Sequence, residues 1–291
     1  MKIQNIGPHD GHNLFLKTLP FCVLMIFSAC AVIKNYDQPQ GPLYLGNFAA
    51  VPPAYTGYLK VVSYNIEFGE KISQAAAELG NIPELEDADI LLLQEMNPNG
   101  VETLARTLRF NYIYYPASVH VKNKMDFGNA VLSRWPIKSF RKVILPHKHP
   151  FRKQIRIAVF ALIQVGRFEI LASSVHTEME WLIYTKRMDQ IETIVKNIPD
   201  EFKYVVVGGD LNTLDIECVK LAEKILGQAD LSRVSKGVGP TAKGDFTGVL
   251  GPELDQIYAR GMTLIKNGKS KNAKASDHFP IWVELKITET G

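Results

Sequence analysis

Cysteine is scarce in this chain. Cys22, Cys30 and Cys218 are the three it has among 291 residues. No disulfide framework follows from them, which sets the chain apart from small scaffolds held by cross-links. Cys218 has no nearby partner and reads as a small apolar residue on a helix. Charge of one sign is also in short supply. Lys and Arg number 33 against 30 Asp and Glu, a net charge of +3, well short of the bias that by itself marks a nucleic-acid binder. The apolar run from Leu19 to Cys30 is too short for a confident membrane span, which takes roughly 20 residues. No internal repeat is visible.

What is present is an ordinary globular composition, 46% hydrophobic and 22% charged, in a chain long enough for a large core. It divides into a leader (1–30), a lead-in tether (31–57) and one domain (58–291). In the leader, a polar start carrying Lys2 and Lys17 runs into Leu19 to Cys30, the size of a secretory-signal core. Phe27-Ser28-Ala29-Cys30 resembles a bacterial lipobox, whose Cys is lipidated, although Phe27 stands where Leu is usual. The expectation is an exported protein held at a membrane by Cys30 or by an uncleaved N-terminal segment, and otherwise a monomer. The tether contains Pro39, Pro42, Pro52 and Pro53 with Gly41 and Gly46, and is expected to have little regular structure.

From Tyr58 onward, strand patterns dominate. They cover Tyr58 to Ile66, Ala88 to Glu95, Asn111 to Ala117, Gly128 to Arg134, Ile155 to Val165, Arg167 to Val175, Val205 to Val207, Leu254 to Ala259 and Phe279 to Leu285. Helices are predicted over Ala75 to Leu79, Gly100 to Leu108, Trp181 to Lys196 and Asp215 to Leu226. Gly227 to Gly251 reads as loop. Strands joined by hairpins, with helices between groups of them, imply sheet packed on sheet with helices outside.

Val205-Val206-Val207-Gly208-Gly209-Asp210-Leu211-Asn212 organises the rest. Three β-branched residues make a buried strand, and the two glycines are read as a sharp turn. Asp210 and Asn212, two apart, point to one side. A carboxylate and a carboxamide at the end of a buried strand suit chemistry on phosphate. Other polar residues also sit where strands end: Asn65, Glu95, His176, Asp255, Asp277 and His278. Glu95 closes the apolar run Ile90 to Leu93, where a carboxylate needs a cation, supplied by a metal or by an Arg or Lys. The basic stretch Arg141 to Arg156 reads either as a phosphate-binding rim or as a solvated hairpin. Arg156, inside a strand, is the stronger candidate. Tyr114 and Tyr115 precede a candidate active-site loop, Ala117 to Phe127, which contains His120, and the tyrosines read equally as core or as substrate contacts.

Seven blocks together resemble the signatures of the endonuclease/exonuclease/phosphatase superfamily. They are Ser63-Tyr64-Asn65-Ile66, Leu93-Gln94-Glu95, Gly128 to Arg134, Ser174-Val175-His176-Thr177, Gly208 to Asn212, Leu254-Asp255-Gln256-Ile257 and Ser276 to Pro280. All seven occur in the family's order, across about residues 58–287. The resemblance implies an α/β fold: a four-layer α/β/β/α sandwich, two mixed β-sheets face to face with helices outside. It implies hydrolysis of phosphate esters with a divalent cation, Mg2+ or else Mn2+. Glu95, Asn65 and Asp277 are then metal residues. Asp210 orients or deprotonates the attacking water, and Asn212 holds the phosphate or that water. His278 contacts the scissile phosphate, Asp255 fixes its tautomer, and His176 helps protonate the leaving group or bind phosphate. Asn129, from the glycine block, joins Arg156 and Tyr115 as expected substrate contacts.

Two substrate classes fit these expectations: nucleic acid, for an endonuclease-like enzyme, and a phospholipid or sphingomyelin-type headgroup at a membrane. Nucleic acid is the leading expectation. A phosphatase, or a binding protein of the same fold without activity, stands behind them, and the complete polar set argues against loss of catalysis.

Overall fold

The computed structural model describes residues 33–120, 124–179, 184–243 and 252–287. The leader with Cys30 lies outside these residues, as do parts of the loops expected at 117–127 and 227–251 and the start of the helix expected from Trp181. Among the described residues no helix is long and apolar enough to cross a membrane.

One sheet contains β1 (Tyr44–Asn47), β2 (Tyr58–Asn65), β3 (Ile90–Met96), β4 (Asn111–Val119), β5 (Asp126–Ser133), β12 (Met262–Lys269) and β13 (Ile281–Ile287), in the order β1-β4-β5-β3-β2-β13-β12. The other contains β6 (Ile137–Ile144), β7 (Ile157–Val165), β8 (Phe168–His176), β9 (Tyr204–Asp210), β10 (Ser232–Arg233) and β11 (Asp255–Arg260), in the order β10-β11-β9-β8-β7-β6. Helices α1 (Ile72–Asn81), α2 (Pro98–Leu108), α3 (Tyr184–Lys196) and α4 (Ile216–Leu226) complete the fold.

Alternation along the strands builds the layers. In β2 and β3, Leu59, Val61, Ile90 and Leu92 face a core shared between the sheets. Val62, Tyr64, Leu91 and Leu93 face the other way, onto Ala75 and Leu79 of α1 and Val101 and Leu104 of α2. In β9, Val206 enters the shared core, while Val205 and Val207 pack on Ile191 and Ile194 of α3 and Ala222 and Ile225 of α4. Three cores between four layers give the α/β/β/α sandwich, each fully buried aliphatic side chain contributing roughly 1.5–3 kcal/mol. The helices start where caps allow. Asn97 accepts the Gly100 N–H ahead of Pro98, and Asp215 accepts the Cys218 N–H.

Residues 33–57 correct one expectation. They are part of the compact unit Val32–Gly291, not a loose tether. β1 pairs antiparallel with β4. The Tyr36 N–H donates to the Ala117 carbonyl at 2.8 Å. Lys142, expected on a basic rim, is buried and donates to the carbonyls of Tyr36 and Gly41 at 2.9 and 2.8 Å. Arg141 likewise donates to the Asn197 carbonyl. This half of the basic stretch is the edge strand β6, and it holds structure together.

Each sheet has one parallel pair at its centre, β2 with β3 and β8 with β9. Parallel strands finish at the same end, so Asn65 lies opposite Gln94 and His176 opposite Asp210. β11 runs antiparallel to β9 and begins at Asp255, opposite Asp210. His176, Asp210 and Asp255 therefore form one row across the second sheet. The strand ends of the first sheet face it.

Candidate active site

The glycines of the organising stretch do not make a turn. β9 runs straight through Gly208 and Gly209, which pair with Ile257 and Gln256 on one side and Ser174 and Val175 on the other. Their role is close approach. A Cβ on Gly209 would lie 1.8 Å from the Val175 carbonyl oxygen, and one on Gly208 would lie 2.8 Å from Leu92 of the facing sheet. The chain turns three residues later, at Asn212, whose φ is +50°.

Asp210 is the hub. Its Oδ2 accepts from Asn65 Nδ2 at 3.1 Å and its Oδ1 accepts from the Asn212 N–H at 2.9 Å. His176 Nε2 lies 3.5 Å and His278 Nε2 4.0 Å from Oδ2. Burial raises the Asp210 pKa to about 6, opposed by His278 and by the two hydrogen bonds. His278 Nδ1 sits 2.7 Å from Asp255 Oδ2. Burial works against a charged imidazole there, but Asp255, its hydrogen bond, Asp210 and Asp277 outweigh it and raise His278 to about 10. His176 goes the other way. Burial, with Arg156 and His278 beside it, pushes it well below its ordinary value, so its imidazole is neutral. Arg156 Nη1 reaches the His176 ring at 3.1 Å, and Arg156 Nε donates to Glu178 Oε2 at 3.4 Å. Asn212 Nδ2 is held by the Thr177 carbonyl at 2.9 Å.

Glu95 enters the site from a β-bulge. The β3–β5 register shifts between Leu93 and Met96, and Glu95 adopts a φ of +57°, a strained geometry for a non-glycine residue. The bulge swings its carboxylate off the strand towards His176, with Oε1 3.9 Å from Nε2. Among the described residues no hydrogen bond reaches this carboxylate, and burial raises it to about 7. Asn65 Oδ1 accepts from the Glu67 N–H at 3.2 Å, and the exposed Asp277 accepts from Ser276 Oγ at 3.2 Å.

These residues line a cavity of about 460 Å³, in which Glu95, Arg156, His176, Asp210, Asn212, Asp277 and His278 meet an apolar wall containing Phe68 and Phe127. A groove of about 570 Å³ lies at the opposite end of the first sheet, beside Asp87, Arg109 and Arg134. The site residues do not reach it.

Two expected substrate contacts are elsewhere. Asn129 is buried between the sheets, where its Nδ2 donates to the carbonyls of Ile157 and Ser174 at 3.1 and 3.2 Å. It pins β5 to β7 and β8. Tyr115 is a core residue, buried between the sheets with its ring tilted against Phe140. Strand alternation turns both side chains inward. Conversely, Glu178 and Phe68 belong to the site and were not among the expected residues, whereas Phe127 closes the loop expected beside it. Glu178 is buried against Arg156, 22 residues away in sequence, and Phe68 lies beyond the end of the strand expected over Tyr58 to Ile66.

The donor set suits a hard divalent cation. Among the described residues, the Glu95 carboxylate takes no hydrogen bond and Asp255 Oδ1 is buried without one. Asp210, Asp255 and His278 present ligand atoms within 4.8 Å of one another, a group that could hold a metal ion. His278 is already engaged by Asp255 and, protonated, has no lone pair to give. The oxygens on the Glu95 side are the better match to Mg2+.

Two facing mixed sheets, with carboxylates, carboxamides and imidazoles at their shared end, define a phosphoesterase-type sandwich. The profile of the Endonuclease/Exonuclease/phosphatase family matches residues 62–278, and the chain belongs to that family, whose members hydrolyse phosphate esters and typically require a divalent metal. The fold is similar to that of an endonuclease/exonuclease/phosphatase from Beutenbergia cavernae, at 17% identity and a TM-score of 0.65, covering 80% of this chain and 72% of that one. It is similar to a humanized D. rerio TDP2, at 16% identity, TM-score 0.59, 79% and 100% coverage. It is also similar to a mannosyl-6-phosphatase of Bacteroides thetaiotaomicron, at 17% identity, TM-score 0.59, 78% and 99% coverage. A UPF0294 protein of Vibrio campbellii is 25% identical over 166 residues, 56% of each chain. The match thus spans little more than half the length of that curated relative.

Proposed function

We propose that the protein is a divalent-metal-dependent phosphodiester hydrolase acting on nucleic acid. The observation that carries this reading is the row His176–Asp210–Asp255, closed by His278 and faced by the Glu95 carboxylate, which takes no hydrogen bond among the described residues. In-line attack on a phosphodiester needs an oriented water, charge neutralisation on the non-bridging oxygens, and a held leaving oxygen.

Asp210, ionised above about pH 6, accepts a proton from the attacking water, and Asn65 fixes the carboxylate's direction. Asn212 orients water or phosphate, with its carboxamide anchored on Thr177. His278, kept cationic by Asp255, donates from Nε2 to a non-bridging oxygen as negative charge grows. Arg156 adds a permanent positive charge, aimed by Glu178. His176 is neutral, so it serves as a hydrogen-bonding contact to phosphate, and protonation of the leaving group is not assigned to it. Glu95, with Asn65 and Asp277, would hold the cation. When bound, a divalent ion supplies Lewis acidity to the phosphoryl oxygens and a water of lowered pKa.

A lipid-headgroup diesterase is the second reading, favoured by the apolar wall of Phe68 and Phe127 and by Met179, half-exposed at the rim. The test is a substrate panel of single-stranded and duplex DNA, RNA, bis-p-nitrophenyl phosphate, sphingomyelin and inositol phosphates. Hydrolysis of nucleic acid is expected with Mg2+, abolished by EDTA and restored by Mg2+ or Mn2+. Turnover unaffected by EDTA would contradict the mechanism, and turnover of lipid alone would replace the substrate assignment.

A further inference from the structure

Phe151 is 88% exposed, more than any other large apolar side chain among the described residues. It stands at the mouth of the catalytic cavity. An aromatic side chain left in water forgoes the stabilisation of burial, and the turn that carries it is tied by hydrogen bonds. The His149 N–H donates to the Gln154 carbonyl and the Lys153 N–H to the His149 carbonyl, each at 2.9 Å. His149 Nδ1 accepts from the N–H groups of Phe151 and Arg152 at 3.3 and 3.1 Å. Asn35 Nδ2 clamps the Lys153 carbonyl at 2.9 Å, and Gln154 Nε2 reaches Ser118 Oγ at 2.8 Å. The chain thus spends several hydrogen bonds on a turn that holds a bare aromatic ring clear of the protein. The His149 ring stands beside it, with centroids 6.2 Å apart.

The surroundings are cationic. Lys148, Arg152 and Lys153 are exposed, and among the described residues none of the three is in an ion pair. Rings that stack bases and cations that track phosphates are what a single nucleic-acid strand requires. In a duplex both faces of each base are covered by its neighbours, so a protruding ring has nothing to stack on. A lipid surface is less well matched, since membrane docking asks for a broad apolar face, and here Phe151 is flanked by Lys148, Arg152 and Lys153, with the half-exposed Met179 as the other large apolar side chain exposed at the same cavity.

We propose that the turn 148–153 is a single-strand nucleic-acid subsite, in which the base next to the scissile phosphodiester stacks on Phe151 and the neighbouring phosphates pair with Arg152, Lys148 and Lys153. The inference rests on reading the cavity as a phosphodiesterase site, and it names the form of substrate that site accepts. Double-stranded ends would enter only after fraying.

Binding is measured by fluorescence anisotropy with a labelled short oligothymidylate in Mg2+, every protein carrying Asp210→Asn so that the strand stays intact. Phe151→Ala should weaken binding roughly 5- to 150-fold, the span of one base–aromatic stack, and Phe151→Trp should restore it. A sugar-phosphate strand of the same length without bases should bind weakly and show no response to Phe151→Ala. Equal loss on the baseless strand, equal loss on duplex, or no loss at all overturns the proposal. So does Phe151-dependent binding to phosphatidylcholine/phosphatidylglycerol vesicles in the absence of strand binding. Stacking by these criteria, with no cleavage of any strand by the wild-type protein, would leave the subsite standing and remove the hydrolase reading instead.

Discussion

Glu95 and Asp89 are both carboxylates raised by burial, to about 7 and about 6, but their settings differ. Among the described residues Glu95 has no hydrogen bond, and it faces the cavity, whereas Asp89 accepts the Lys60 N–H at 2.8 Å just before β3. Asp89 therefore gives a pH test of stability free of the site. Its folded pKa lies above its unfolded value near 3.9, so the folded state holds the proton more tightly. Its contribution to stability falls as pH rises from about 4 to about 6 and is constant above, by no more than about 3 kcal/mol. Asp89→Asn keeps an acceptor for Lys60, so the variant should gain stability relative to wild type across that window in urea titrations. A difference independent of pH would contradict the assignment. Gly209 makes a steric prediction. A Cβ 1.8 Å from the Val175 carbonyl cannot be accommodated without parting β8 from β9, so Gly209→Ala should cost more than about 3 kcal/mol, where an unchanged midpoint would be the contrary result. At this scale legibility followed from chemistry visible in one stretch of chain. Asp210, Asn212, His176, Glu95 and Asn65 lie at or just after the ends of strand-forming runs, Asp255 and His278 at or just before the starts of others, and the structure brings them together. Asn129 and Tyr115 were misplaced because sequence says that a residue is in a strand but not which face is filled. Glu178 was invisible because its reason for burial, Arg156, is contributed by another element.

Among the elements, the interior strands were legible and the edge strands were not. β2, β3, β5, β7, β8, β9 and β13 are buried on both faces and read as apolar runs. β1, β6, β10 and β12 were missed, and all four lie at the edges of their sheets. An edge strand is short, or polar on both faces to blunt association. β12, mostly exposed from Thr263 to Lys266, shows no alternation, and β6 carries Lys138, Arg141 and Lys142. The same physics misplaced the domain boundary. The prolines and glycines before Tyr58 read as a tether, yet β1 covers the β4 edge and the Pro53 carbonyl accepts from Trp135 Nε1 at 3.0 Å. A chain beginning at Tyr58 should accordingly unfold at a lower temperature than one beginning at Val32, because it uncovers β4 and leaves the buried Lys142 ammonium without its two carbonyls. Equal melting temperatures would restore the tether reading.

For the whole molecule, the sandwich explains why residues spread from Asn65 to His278 meet. The parallel pair in each sheet points its C-terminal ends the same way, and the packing of the sheets brings those ends face to face. Asn65 of the first sheet donates to Asp210 of the second, and Glu95 of the first approaches His176 of the second. The site exists only when both sheets are assembled, so its activity should be lost together with the cooperative unfolding of the domain. The central claim is that Asp210 prepares the attacking water at this junction. Its direct test is the hydrolysis rate of bis-p-nitrophenyl phosphate at saturating Mg2+ for the wild type and for Asp210→Asn, whose amide keeps the shape and cannot take a proton. With an unchanged circular-dichroism spectrum and melting temperature, the variant should lose at least about 100-fold in kcat, the lower end of what a positioned base contributes. A folded Asp210→Asn protein that hydrolyses the substrate at the wild-type rate would contradict the claim.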